Sequence, residues 1–197
     1  MKGRPSSLLR DARGVTAVEF ALVAPVLLLM LMGFLDLSYN LWARTVLYGE
    51  VQKAARDSSL ESGPGAQAEL DRKVTAGVRT VVPRATVTIE RRNYDSFARV
   101  GKPEDFTDKN GNGRRDPGEC YTDSNGNSQW DADRGMGGQG GADDVTRYRV
   151  TIEYPRLFFP LARMIGLSQT QSAAAETILR NQPYTGQGAR PSTVRCA

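Results

Sequence analysis

The stretch Gly14-Val15-Thr16-Ala17-Val18-Glu19-Phe20 decides the organisation of this chain, because it places one carboxylate inside an otherwise continuous apolar segment. From Val15 to Leu35 the chain has 21 residues, and Glu19 is their only charge. As a helix this segment measures about 31 Å, close to the roughly 30 Å of a hydrocarbon core. A helix starting at Phe20 would measure only about 24 Å. We therefore predict a transmembrane helix over 15–36, with Glu19 at its cytoplasmic edge.

A short basic leader precedes this helix. Residues 1–14 carry four basic side chains and one acid, a net +3 of the chain's formal +4. Basic residues before a span place the N-terminus in the cytoplasm, and Tyr39 and Trp42 suit the aromatic belt on the far side. A secretory signal is cleaved after its apolar run, whereas the small residue Gly14 comes before it. The pattern predicts removal of the leader on the cytoplasmic side, and a plain signal anchor is the alternative.

The N-terminal segment resembles a known family. The run from Arg13 to Pro25, a Leu-rich stretch and a helix ending in Ala54-Ala55-Arg56 are similar to the TadE/TadF pseudopilins of Tad (Flp) pilus systems. The resemblance covers about the first 56 residues. It implies that a prepilin peptidase cuts between Gly14 and Val15 and leaves Glu19 as the fifth mature residue. Because the family's major pilin is much shorter, a chain of 197 residues implies the minor, pseudopilin role.

The resemblance also implies a place in the cell and a set of partners. It implies a single-pass protein of the bacterial inner membrane, with a cytoplasmic N-terminus and a periplasmic head that can enter the extracellular pilus. Its partners would be the prepilin peptidase, other pilins and pseudopilins, and the Tad assembly machinery. In lipid, the Glu19 carboxylate is stabilised most by contact with a cation, such as the new amino terminus at Val15 of a neighbouring subunit. Glu19, Phe20 and Pro25 are therefore assigned to assembly and axial register, although the bend that Pro25 permits is equally consistent with a harmless kink.

Beyond the span, apolar periodicity predicts an α+β head. A three-, four- and seven-residue repeat predicts that the helix continues over 37–57. The head is predicted over 58–181, with a loop at 58–66, a helix at 67–82, strands at 85–90, 148–154 and 169–180, and a short helix at 157–165. Pattern and resemblance together favour a pilin-like fold, in which the long helix packs on a small antiparallel sheet. The polar segment 182–197 is predicted to be a flexible tail.

A long Asp/Asn/Gly-rich insertion separates the first two strands, and its first part fits a twelve-residue calcium loop. Oxygen ligands at alternate positions of a turning loop point inward, and Gly113 permits the sharp turn. The predicted ligands are Asp108, Asn110, Asn112, Arg114 through its carbonyl, Asp116 and Glu119. This pattern predicts a structural calcium ion, and a solvated loop without an ion is the alternative.

A partial copy of the motif follows, up to residue 134. Its candidate ligands are Asp123, Asn125, Asn127, Asp131 and Asp133. Ser128 replaces the turn glycine. Arg134 occupies the twelfth position, where an acid normally closes the site, and Asp133 comes one residue before it. This motif is therefore the weaker of the two. An insertion of about 55 residues needs something to order it, and calcium would do so. The segment 135–141, with five glycines in seven residues, is predicted to act as a hinge.

The two cysteines of the chain are Cys120 and Cys196. Both are predicted to lie outside the cytoplasm, where a disulfide can form. Spacing alone does not show that two cysteines meet. A bridge that ties the tail to the calcium region and a pair of free thiols are therefore both open.

The composition argues against an enzyme. The chain has no histidine, so it lacks the commonest general base and the commonest transition-metal ligand. It has no glycine-rich phosphate loop before a helix and no Lys/Arg cluster with interleaved aromatics, so we expect no nucleic-acid binding. The favoured interpretation is a structural protein that supports pilus biogenesis and thereby adhesion. The alternatives are a permanently anchored, calcium-dependent binding module and a pseudopilin of type II secretion.

Overall fold

The computed structural model describes residues 15–60, 64–182 and 190–196. The predicted leader with Gly14, residues 61–63 of the predicted loop, and residues 183–189 and 197 of the predicted tail lie outside the described residues. The chain divides into two compact units. The first contains the residues up to Trp42 together with Arg156–Gln169, and the second contains Ala43–Pro155 together with the residues from Thr170 onward.

The element bounds follow the predicted order. The helices are α1 (Val15–Leu60), α2 (Pro64–Val81) and α3 (Phe159–Met164), and a short 3-10 turn lies at Phe97–Arg99. The strands are β1 (Thr86–Tyr94), β2 (Cys120–Asp123), β3 (Met136–Gly137), β4 (Val145–Pro155), β5 (Thr170–Arg180) and β6 (Thr193–Cys196). The long N-terminal helix, the second helix, the three main strands and the short helix are confirmed. The fold class is α+β, as predicted.

The first unit is dominated by the apolar part of α1. Large apolar side chains are exposed along this part, among them Phe20, Leu28 and Phe34. Pro25 lies within the helix, which continues on both sides of it. By length and composition, α1 can cross a membrane once. An apolar surface of this size in a helix of this length is typical of a single-pass membrane anchor.

The second unit has a core between helices and a four-stranded antiparallel sheet. The sheet order is β3-β1-β4-β5, so β4 pairs with both long neighbours. Alternate residues of β4 and β5 are buried, which gives the sheet one apolar face. The helical side of the core consists of Ala43, Leu47, Val51, Ala54 and Ala55 from α1 and Leu70, Val74 and Val78 from α2.

Polar contacts fix α2 on this sheet. The Arg91 guanidinium on β1 forms an ion pair with Asp71 on α2, at 2.5 Å between Nη2 and Oδ1. The same guanidinium lies 4.6 Å from the ring centre of Tyr148 on β4. Burial raises the pKa of the Tyr148 hydroxyl. Elsewhere on α2, a Cβ added to Gly77 would lie 2.5 Å from the Glu50 side chain, so α1 and α2 are closely packed there.

Three sequence predictions are wrong in detail. The loop predicted at 58–66 is shorter, because α1 extends to Leu60 and α2 begins at Pro64, a residue that suits the first turn of a helix. The flexible tail is wrong at 193–196, which form β6 and pair with β2. The hinge predicted at 135–141 is also wrong, since β3 within it pairs with β1 and the Gly138 N–H donates to the Arg91 carbonyl.

Gly140 in this glycine-rich segment provides a test of its packing. Its φ is +77°, and an added Cβ would lie 2.5 Å from Asp144 Oδ2 and 2.7 Å from Asn93 Cβ. We expect Gly140→Ala to lower the free energy of unfolding by about 2–3 kcal/mol, from left-handed backbone strain and overpacking together. Urea unfolding of the full chain in mild detergent measures this change.

Two neighbouring glycines separate the two causes. Gly138→Ala shares the positive φ, +98°, but an added Cβ meets nothing within 4 Å, so we expect a loss of about 1 kcal/mol. Gly137→Ala has neither feature and should change stability by less than about 0.5 kcal/mol. Equal losses for Gly138→Ala and Gly140→Ala would show that the contacts at Gly140 contribute nothing.

Candidate functional site

The predicted assembly residues lie on the exposed surface of α1. The described part of the chain begins at Val15, the predicted new amino terminus, and is helical from there. Glu19 and Pro25 are exposed, and Phe20 is 68 % exposed. Glu19 therefore projects from the same surface as the apolar side chains around it, where a neighbouring helix can reach it.

The first Asp/Asn loop folds around the carboxylate of Asp108. Its Oδ1 accepts hydrogen bonds from the backbone N–H groups of Gly111 (2.7 Å) and Asn112 (3.2 Å), and its Oδ2 accepts one from Gly113 (2.7 Å). Gly113 has a φ of +73°, so it makes the turn predicted for the sixth position. These donors, Gly113 foremost, hold the pKa of the Asp108 carboxyl below its usual range. Asp108 is therefore ionised at neutral pH.

The other predicted ligands of the first loop also come together. Asp116 Oδ2 accepts hydrogen bonds from the side-chain amides of Asn110 (2.7 Å) and Asn112 (2.8 Å). The Glu119 carboxylate closes the loop, because it accepts from the backbone N–H of Lys109 (2.7 Å) and of Asp116 (2.9 Å). At Arg114, the N–H donates to Asn112 Oδ1 (2.8 Å). Spacing in the sequence thus identified a set of residues that converge in the structure.

The second loop has the same conformation as the first. Asp123 Oδ1 accepts from the Gly126 N–H (2.7 Å), and Asp123 Oδ2 accepts from the Ser128 N–H (3.0 Å). The side-chain amides of Asn125 and Asn127 both donate to Asp131 Oδ2, each at 2.6 Å. Ser128 has a φ of +67°, so it makes the turn although it is not glycine. The absence of the turn glycine, which weakened the sequence match, does not change the loop.

Asp123 also has a basic neighbour. The Arg195 Nε on β6 donates to Asp123 Oδ2 at 2.9 Å. Burial alone would raise the pKa of Asp123, but the N–H groups of Ser128 and Gly126 and the Arg195 guanidinium outweigh it, and the pKa is lowered. Arg195 and the Ser128 N–H therefore share Oδ2 as their acceptor, and Oδ1 accepts from the Gly126 N–H.

Glu104 closes the second loop from outside it. Its carboxylate accepts from the backbone N–H of Ser124 (2.6 Å) and of Asp131 (3.2 Å). These residues hold the second and ninth loop positions, as Lys109 and Asp116 do in the first loop. Glu104 is completely buried, and sequence reasoning missed it because it lies before the first loop rather than at the end of the second. The only sign in the sequence that another segment supplies the closing acid was Arg134, which occupies the position where that acid is expected.

Asp133 is not the closing acid of the second loop. Its carboxylate accepts from the Tyr94 hydroxyl (2.9 Å) and from the Arg147 guanidinium (2.7 Å). Burial acts to raise the pKa of Asp133, but the Tyr94 hydroxyl, the Gly135 N–H and the Arg147 charge outweigh it and lower the pKa. Burial and the Asp133 hydrogen bond raise the pKa of Tyr94 to about 12. Asp133 therefore joins strands of the head and does not act as the ligand that the sequence suggested.

The two cysteines are joined in a disulfide. Cys120 and Cys196 are directly paired residues of β2 and β6, with their Cα atoms 4.0 Å apart. Strand β2 begins directly after Glu119 and ends at Asp123, so it connects the last predicted ligand of the first loop to the first predicted ligand of the second. The structure thus contains the bridge and not the pair of free thiols.

Comparison with known proteins identifies the N-terminal part of the chain. Residues 14–58 match the model of the family described as TadE-like protein. This segment is TadE-like. The resemblance drawn from the run around Glu19 is therefore confirmed, and the match covers α1 almost completely. The comparison with curated proteins and the comparison with solved structures each gave no match.

The TadE-like segment has a consequence for the class of protein. The family is a structural, pilus-associated one, and the apolar helix of this chain is consistent with membrane attachment. The match ends at residue 58, before the head that carries both Asp/Asn loops. The family match therefore assigns no role to the head.

Proposed function

We propose that this protein is a pseudopilin of a Tad (Flp) pilus, which supports pilus biogenesis and thereby adhesion. The observation that carries the proposal is the TadE-like match over the apolar helix with Glu19 near its start. In this proposal the protein sits in the bacterial inner membrane with its N-terminus in the cytoplasm and its head in the periplasm. It interacts there with other pilins, pseudopilins and the Tad assembly machinery.

We propose that a prepilin peptidase removes residues 1–14 by cutting between Gly14 and Val15. The basic leader and the small residue before the apolar run support this step. The intact mass of the protein, expressed together with its own peptidase, tests it. We expect a chain that begins at Val15 in the wild type and at Met1 in Gly14→Leu, with Gly33→Ala processed normally as the control. A wild-type chain that begins at Met1 would favour the permanently anchored binding module.

Glu19 is expected to set the register between subunits. A polar contact between helices in lipid contributes about 1–2 kcal/mol, so we expect Glu19→Ala to reduce filament formation by about tenfold. Membrane insertion and leader removal should stay normal, because the apolar run remains. Filament yield in a strain with its chromosomal copy replaced measures the effect. Thr16→Ala, which changes an exposed polar residue one turn earlier, is the control, and normal piliation in Glu19→Ala would contradict this role.

We propose that both Asp/Asn loops hold calcium as a structural ion of the head. The support comes from burial and charge: Glu119 is 4 % exposed and Glu104 is 0 % exposed. Among the described residues, neither carboxylate forms an ion pair with a Lys or Arg, and each accepts only backbone N–H groups. A buried carboxylate without a counter-charge is costly, and a bound divalent cation would offset that cost.

The side chains of each loop offer enough oxygen ligands for a hard cation only if the Asn side-chain oxygens also bind it. Within the described ranges, no three Asp, Glu, His or Cys side chains form a metal-binding group by themselves. In each loop, however, the two Asn side-chain oxygens each accept one backbone N–H, in the first loop Asn110 and Asn112 and in the second Asn125 and Asn127. An amide oxygen has a second lone pair, so these oxygens would add two ligands to the carboxylates of each loop. Calcium accepts such mixed sets of six to eight oxygens.

A further inference from the structure

The connection between β4 and β5 belongs to the first unit, beside the outer end of the apolar part of α1. The Arg156 guanidinium forms an ion pair with Asp36 on α1, at 2.5 Å between Nη1 and Oδ2. The Leu157 N–H donates to the other Asp36 oxygen at 3.2 Å. Leu161 and Ala162 line a small cleft together with Met32 of α1. Segment 156–169 is therefore held against the last turns of the apolar helix.

This segment exposes an unusual amount of apolar surface. Five large apolar side chains are between 49 and 83 % exposed: Leu157, Phe159, Met164, Ile165 and Leu167. The segment has no acidic residue, and its two charged residues are Arg156 and Arg163. Exposed apolar side chains combined with basic ones are the composition of a segment that lies in a membrane interface.

The backbone of the segment is suited to that environment. A polar backbone group inside a membrane needs a partner within the protein. The N–H groups of Ala162, Ile165, Gly166 and Leu167 donate to carbonyls of the same turn, and the Arg156 N–H donates to the Gln169 carbonyl. The Asp36 carboxylate and the Arg156 guanidinium neutralise each other at the end of the apolar run. The segment thus presents apolar side chains outward and keeps these polar groups paired.

We propose that segment 156–169 is an interfacial anchor that inserts into the leaflet at which α1 leaves the membrane. The inference rests on α1 as a membrane span, and Ile165 and Leu167 of the segment line a cleft together with Met32 of that helix. Met32 lies about 6 Å along α1 from Asp36. With the Asp36–Arg156 ion pair at the headgroup level, apolar side chains beside Met32 would lie about 6 Å deep, within the roughly 5–10 Å that is typical of interfacial segments. Because Arg156 is paired with Asp36, the selection rests on Arg163: its charge favours anionic lipid headgroups over a second copy of this chain as the occupant, because the copy would present the same arginine.

Depth-dependent fluorescence quenching of the full chain in nanodiscs tests this anchor. Because both native cysteines are in the disulfide, a single added cysteine can carry an NBD label. The test position is Met164→Cys, the position inside the span is Leu28→Cys, and the position on the head is Phe97→Cys, which replaces an exposed apolar residue of the second unit. Each nanodisc holds one chain and contains anionic lipids with spin-labelled acyl chains. We expect at least a twofold quenching of the labels at 164 and 28 and none at 97.

The outcomes separate this inference from the membrane span itself. A label at 164 that behaves like the label at 97, while the label at 28 is quenched, would overturn the anchor and leave the span intact. A label at 28 that is not quenched would overturn both. Loss of quenching at 164 when several chains share one bilayer, with the label at 28 still quenched, would assign the surface to a second copy and overturn the lipid contact.

Discussion

Removal of the Cys120–Cys196 disulfide is expected to lower the free energy of unfolding by about 4 kcal/mol. The two cysteines are 76 residues apart, and a cross-link over a loop of this size restricts the unfolded chain strongly. Within the described residues, strand β6 has four residues and pairs with β2 alone, so the bond is a main covalent restraint on this short strand, beside its ladder and the Arg195–Asp123 ion pair. Urea unfolding of the full chain in mild detergent, with Cys120→Ser and Cys196→Ser combined, measures the loss.

Two controls make this prediction specific. A reductant should destabilise the wild type by a similar amount and leave the double variant unchanged. Val194→Ala, at a 68 % exposed position of the same strand, should change stability by less than about 0.5 kcal/mol. Equal stability of the double variant and the wild type, with two reactive thiols in the native wild type under air, would contradict the role of the bond.

Replacement of Glu104 with glutamine is expected to remove one of two calcium sites. An amide in place of the carboxylate loses a charge and turns an N–H₂ group toward the N–H of Ser124 or Asp131. Groups just outside the first coordination shell already contribute about 10–100-fold to metal affinity, so a closing ligand should contribute at least as much. Titration calorimetry of the full chain in detergent should give two ions per chain for the wild type and one for Glu104→Gln.

The first loop supplies the matched variant. Glu119→Gln should leave one site, and the double variant Glu104→Gln/Glu119→Gln should leave none. Asp105→Asn, next to Glu104 but 66 % exposed at its side chain, should keep both sites. A wild type that binds no calcium would overturn the calcium proposal, and a Glu104→Gln protein that keeps two sites would overturn the assignment of Glu104 alone.

The two loops show where sequence reasoning succeeds. Asp108, Asn110, Asn112, Asp116 and Glu119 all lie within twelve residues, and their convergence depends on local turns that the chain makes by itself. The second loop makes the same turns, but its closing acid comes from a different segment. No spacing rule connects Glu104 to Asp123, and spacing along the chain points instead to Asp133, which pairs with Tyr94 and Arg147.

The sequence by itself determined the apolar helix, the position of Glu19 near its start, the alternation of the main strands and the order of the Asp, Asn and Glu residues in the first loop. Each of these features depends on residues that are close together along the chain, because helical periodicity, strand periodicity and turn formation each involve only a few consecutive residues. Only the tertiary structure decided that Cys196 meets Cys120, that Glu104 closes the second loop, and that segment 156–169 lies beside the end of the apolar helix. These contacts join residues that are far apart in the sequence, and only the folded chain brings them together.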